Sequence, residues 1–178
     1  RPVPGVHNNP LKFWPRLPEY LRDGFIKSFV NGIKTPNERL SDNEWQKILI
    51  KFLDDMMTCP LCESEHMVYK FPKGQEMKFG CNHSFSYPHT LKTKTYEVAL
   101  FPGQKIRSCH ILNNNDDFKT IEGEVIMNKK NPNLWGIKNI GTATWTFFAG
   151  EEAKTIPNGS VLPIATNMDI NFGGVTAK

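Results

Sequence analysis

The chain has 178 residues, 39% of them apolar, which is enough for one ordinary domain or two to three small ones. No apolar run reaches the roughly 18 residues of a spanning helix, so no membrane partner is expected. Net charge is +4, spread as 9 basic and 7 acidic groups over residues 1–58, 5 and 3 over 59–95, and 8 and 8 over 96–178, and no Lys/Arg cluster marks a nucleic-acid partner.

Residues 1–16 are Pro-rich and lack the apolar segment of a signal peptide. With Arg1 rather than Met at the start, the expectation is a cytoplasmic piece of a longer protein. Pro18 suits a first helical turn. Leu17, Leu21, Phe25 and Phe29 then recur every four residues, and Asn31-Gly32 reads as the stop of that helix. After the loop "TPNERL", Ser41 and Glu44 form the S-x-x-E capping box of a second helix. Trp45, Ile48, Leu49, Phe52, Leu53 and Met56 make its apolar stripe, expected to pack on the helix that carries Leu21, Phe25 and Phe29.

Residues 59–89 carry the chemistry. Cys59 and Cys62 have the C-x-x-C spacing of metal ligands, and in a chain with no export signal thiols read better as ligands than as disulfides. Met67, Tyr69 and Phe71, the turn Pro72-Lys73-Gly74, then Met77 and Phe79 predict one β-hairpin that brings Cys81 back to the first pair. Structural zinc takes four tetrahedral sulfur or nitrogen ligands, so the expected set is Cys59, Cys62, Cys81 and His83, with His89 and His66 as alternatives for the fourth place and Cys109 remote. A redox C-x-x-C would need a βαβ setting, and a catalytic zinc would need an open position and a base. Neither is legible. A unit of about 30 residues builds little core, so the metal is expected to supply folding energy and to staple the joint between helical and β parts.

From Tyr96 onward the helical period gives way to short β-type runs: "YEVALF", "GEVIM", "WGIKNI", "ATWTFF", "SVLPI" and "DINFG". Between them stand turn signals: Pro102-Gly103, "NNNDD", "KKNPN", Ala149-Gly150 and Pro157-Asn158-Gly159. This predicts an all-β sandwich or barrel with Trp135 and Trp145 as core aromatics. The chain as a whole reads as α+β in three parts: helices over 1–57, a small metal-binding hairpin over 58–93 and a β-sandwich over 94–178.

Two resemblances add to this. "LPEYLRDGFIKSFVNGIKTPNERLSDNEWQKIL" resembles the end of a protein-kinase C-lobe in bacterial kinase-like proteins that append a zinc ribbon. There, Arg39 matches the arginine that pairs with a buried glutamate, although Leu40 replaces the usual proline. "WGIKNIGTATWTFF" and "NGSVLPIATNMDINFG" are similar to the later strands of a forkhead-associated (FHA) sandwich. The phosphothreonine-reading residues of that family do not carry over as a set: Arg107 lies in "KIRSCH" without a preceding glycine, and Thr144-Trp145 replaces Asn-Gly. Arg107 and His110 are the one pair nominated for any anion or phosphopeptide site.

The chain has no Gly-rich loop, H-R-D, D-F-G or A-P-E, and "DDFK" at 116–119 has lysine where D-F-G has glycine. On its own it is not expected to be an enzyme. The resemblances imply a regulatory or scaffolding tail, with structural zinc and a protein partner or substrate, of a parent serine/threonine protein kinase whose catalytic part would lie upstream of Arg1. The alternative from a different class is a zinc-ribbon nucleic-acid-binding protein.

Overall fold

The computed structural model describes residues 3–112, 116–132, 134–149, 152–166 and 168–177. The chain divides into two compact units, Arg1–Leu53 and Asp54–Lys178. The first is helical and the second is built of short antiparallel strands, so the protein is mixed α+β.

In the first unit α1 (Asn8–Phe13) is followed by α2 (Glu19–Ile26), α3 (Gly32–Lys34) and α4 (Asp42–Asp54), whose last residue opens the second unit. Pro18 stands at the N-cap of α2 in an extended conformation. The chain does not stop at Asn31-Gly32: residues 27–31 form a π turn and the helix runs on through Lys34. Gly32 keeps an ordinary helical φ of −68°, and its role is close approach. A Cβ there would lie 2.4 Å from Arg39 Cγ, and Arg39 Nε donates to the Gly32 carbonyl at 2.8 Å.

The packed face of α2 is narrower than its large apolar residues suggest. Leu21, Gly24 and Ser28 are buried, whereas Phe29 is 58% exposed. Gly24 lets Ile48, Leu40 and Trp45 come within 3.0–3.5 Å of where its Cβ would be. Trp45 is half-buried, edge-on to Phe25 at 5.1 Å and tilted against Phe29 at 6.1 Å. The capping box is formed: Ser41 N donates to Glu44 Oε2 at 2.7 Å and Glu44 N donates to Ser41 Oγ at 3.3 Å. These bonds from Ser41 hold the Glu44 carboxyl below its ordinary value. The helix closes at Asp54, and Met56, expected at its end, begins a strand.

In the second unit β1 (Met56–Thr58) pairs with β2 (Glu65–Met67), β3 (Glu76–Lys78) with β4 (Ser84–Ser86), and β5 (Thr90–Lys92) with β6 (Glu97–Ala99). Two larger sheets follow. β7 (Lys105–Arg107), β8 (Ile121–Met127), β9 (Trp135–Asn139) and β12 (Val161–Pro163) form one, in the order β12-β9-β8-β7. Between β7 and β8 the chain makes the short helix α5 (Ser108–Ile111). The other sheet has the order β11-β10-β13-β14, from β10 (Trp145–Ala149), β11 (Glu152–Ile156), β13 (Asp169–Asn171) and β14 (Thr176–Ala177).

All these pairs are antiparallel, as turn-punctuated short runs require. Every run singled out in the sequence contains a strand, whereas β5, β7, β11 and β14 were not singled out. Gly103 (φ 90°) and Gly159 (φ 84°) occupy the left-handed positions of the turns at Pro102-Gly103 and Pro157-Asn158-Gly159. In the other three expected turns, residues 113–115, Asn133 and Gly150 lie outside the described residues.

One core joins the two larger sheets, with Ile106, Val125, Ile137 and Leu162 from the first and Trp145, Ile156, Ile170 and Ala177 from the second. Trp145 is fully buried, edge-on to Phe172 at 4.9 Å. Gly123 on β8 makes room for it, since a Cβ there would lie 2.8 Å from the indole. Trp145→Ala is expected to destabilise the fold by about 3–5 kcal/mol. Gly123→Val should destabilise it by driving a branched side chain into the same indole. Chemical denaturation checks both, and a Gly123→Val protein as stable as wild type would contradict this packing.

Candidate metal centre

The two ligand pairs sit at the tips of two separate hairpins. The single hairpin expected across residues 67–79 is not formed: β2 turns back onto β1, residues 68–70 make a 3-10 turn, and β3 pairs forward with β4. Local hydrogen bonds decide this pairing. In the first tip Cys59 N donates to Ser64 O at 2.8 Å and Glu63 N donates to Cys59 O at 2.8 Å. In the second, Phe79 N donates to His83 O at 2.9 Å and Asn82 N to Phe79 O at 3.0 Å. The residue after Cys62 and the residue after Cys81 both take left-handed backbone, Glu63 at φ 62° and Asn82 at φ 66°. Asparagine tolerates that region, but glutamate there is strained and needs the rest of the turn to hold it.

The tips converge. Cys59 Sγ, Cys62 Sγ, Cys81 Sγ and a ring nitrogen of His83 all lie within 4.8 Å of one another. His83 Nδ1 is 3.4 Å from Cys59 Sγ and 3.6 Å from Cys81 Sγ. Three thiols and an imidazole, all facing one point, can hold a metal ion. The thiols do not behave alike. Hydrogen bonds from the Ser64 hydroxyl and backbone bring the Cys62 thiol down to about 6, while loss of solvent and the neighbouring thiols raise that of Cys81. Beneath the cluster lies a small core of Met57, Cys59, Val68, Met77, Phe79 and Phe101.

Neither alternative fourth ligand belongs to the group of four. His66 is stacked on Phe79 with ring centroids 4.0 Å apart, and its Nε2 is 3.4 Å from Cys81 Sγ alone. That places it beside one ligand, as an outer partner. His89 is outside the cluster and accepts from Leu100 N through its carbonyl. Cys109 is buried in a different part of the fold, where burial and the Asp54 carboxylate push its thiol up to about 11. Among the described residues no second group of this kind is present.

Arg107 and His110 are brought together, and they converge on a carboxylate of the chain itself. Asp54 Oδ1 accepts from Gln104 Nε2 at 2.8 Å and lies 3.3 Å from Arg107 Nη1. His110 Nδ1 accepts from the backbone N–H of Arg107 at 3.1 Å, which puts the ring proton on Nε2. That nitrogen lies 2.9 Å from Asp54 Oδ2, off the N–H axis, so this is an electrostatic contact rather than an aligned hydrogen bond. Asp54 and Gln104 were missed in the sequence because nothing local marks a buried acid at the end of an amphipathic helix. Arg39 donates to the Gly32 carbonyl as described above.

Comparisons with known proteins found no match: no family model fits the chain, and no curated protein or solved structure is significantly similar to it.

Cys59→Ser, Cys81→Ser and His83→Ala should each lower the metal content of the purified protein well below that of wild type. His66→Ala should retain it with weaker affinity, by about 10- to 100-fold as for other outer-shell partners. Elemental analysis and chelator competition read both, and full retention in His83→Ala would move the fourth ligand to His66. Asp54→Ala removes the buried carboxylate that Gln104 and the half-buried Arg107 share and should destabilise the fold by about 3 kcal/mol, read by denaturant titration.

Proposed function

We propose that this chain is a non-catalytic regulatory or scaffolding region, folded around one structural zinc ion, that presents an FHA-like β-sandwich to a protein partner. The observation that carries the zinc is the convergence of Cys59, Cys62, Cys81 and His83 from two tight turns. Zinc–sulfur bonds of about 2.3 Å and zinc–nitrogen bonds of about 2.0 Å, set tetrahedrally, give ligand–ligand edges of about 3.5–3.8 Å. The S···N separations of 3.4 and 3.6 Å fit that figure. Four protein ligands leave no open coordination position for a water, which favours a structural over a catalytic role. A C-x-x-C turn and a C-x-H turn on two short hairpins support a zinc-ribbon reading.

The resemblance of residues 17–49 to the end of a kinase C-lobe supports a place within a bacterial serine/threonine kinase-like protein, with the partner a substrate or regulator of that kinase. Support for protein recognition also comes from the even spread of charge over 22 basic and 18 acidic residues, which gives DNA or RNA no continuous cationic stripe.

Two measurements test this reading. The purified chain should carry about one zinc per molecule, and chelation should unfold the hairpins with it. The gene upstream of the Arg1 codon should encode, in the same frame, a Gly-rich loop, H-R-D and D-F-G. A frame that opens without them overturns the kinase attachment, and tight DNA binding with a steep salt dependence would favour the nucleic-acid reading instead.

A further inference from the structure

A cavity of about 720 Å³ opens between β5 and β12 in the second unit. That volume is within the range of ligand-binding clefts. Its base is made by buried side chains of the core, Leu91, Leu100, Ile137, Leu162 and Ile170. Lys73, from the stretch between the two metal-binding turns, and Tyr87, just after the second, also line it.

The wall formed by β5 is an open strand edge. Leu91 faces Val98 in the β5–β6 ladder, Leu100 N donates to His89 O, and Thr93 N donates to Tyr96 O. In an antiparallel pair the intervening residues direct their N–H and C=O to the other side, which here means Thr90 and Lys92. Among the described residues β5 pairs with β6 alone. The cavity lies on the unpaired side, since Thr90, Leu91 and Lys92 line it and none of residues 97–99 does.

The opposite wall is closed to such pairing. Ile164 N donates to Trp135 O and Leu162 faces Ile137, so the position directed outward between them is Pro163, which has no N–H. The lining carries both signs, with Lys73 and Lys92 on one side and Asp169 among the other polar residues. Lys73 and Lys92 both pair with the single carboxylate of Glu97, and His89 stands beside them.

We infer that this cleft binds an extended segment of a protein partner, added as a strand to the free edge of β5, with an apolar side chain seated on the base and a neighbouring acidic residue at Lys73 and Lys92. The inference rests on the protein-recognition reading given above and names its site. Main-chain hydrogen bonds to Thr90 and Lys92 hold the segment in register, and the apolar base selects its side chain. A compact anion alone would use the lysines and leave the strand edge and the base empty.

A random heptapeptide display library selected on the full chain tests this. The expected result is a consensus with an apolar residue next to an acidic one. Bound peptide should slow hydrogen exchange at Thr90 and Lys92. Thr90→Pro removes an outward N–H and keeps the ladder to β6, and should weaken binding by about tenfold or more. Lys92→Glu should weaken acidic peptides most at low salt. If Thr90→Pro does not fold, Lys92→Glu, a substitution of an exposed side chain, carries the test.

Enriched peptides that bind both variants as tightly as wild type overturn this site and leave the protein-recognition reading standing. Failure to enrich any peptide overturns the site, and if the same protein binds DNA tightly, the protein-recognition reading falls with it.

Discussion

Three thiols and one imidazole nitrogen within 4.8 Å of one another set the terms for the beginning of the second unit. Each of the two hairpins that carries them has strands of only three residues, and a lone two-stranded hairpin is marginal in water at best. The apolar cluster under them is too small to order about thirty residues unaided. The tips meet through the shared apolar cluster, the His66–Phe79 stack and the four side chains that converge on one point, where a metal ion would join them covalently. The strained backbone of Glu63 belongs to the same arrangement, because only a turn held at both ends keeps a glutamate in left-handed conformation.

The four side chains that cluster were legible because spacing and side-chain chemistry carry them: C-x-x-C, then Cys-x-His, with turn residues between. The route by which the two halves meet was not legible. Alternation at Met67, Tyr69 and Phe71 suits a strand, but alternation does not say which neighbour the strand pairs with, and the six-residue turn from Cys59 to Ser64 brings β2 back to β1 first. The larger strands were visible for the same reason as their turns, since Gly103 and Gly159 take backbone angles that glycine adopts freely. Short strands such as β7 and β14 were invisible, because two or three residues hold no period.

In the helical unit the misreading was one of size. Phe25 and Phe29 drew the eye, while contact with Ile48, Leu40 and Trp45 is made at Gly24, and Ser28 is buried next to it along the helix. Small residues bring helices close, and an apolar stripe drawn from large residues alone lands to one side of the true seam. The buried acid Asp54 is a similar case: Gln104, Arg107 and His110 gather around it from a distant part of the chain, and no local pattern announces that.

Trp135 packs against both apolar clusters of the second unit, the one beneath the four ligands and the one shared by the two large sheets. A side chain that belongs to two cores cannot keep its packing in one when the other dissolves. Trp135 therefore couples the packing of the two clusters within the second unit. Loosening the thiol cluster would be felt as faster opening of β9, far along the chain from any cysteine ligand, and the amide protons of that strand would report the state of a site they never touch.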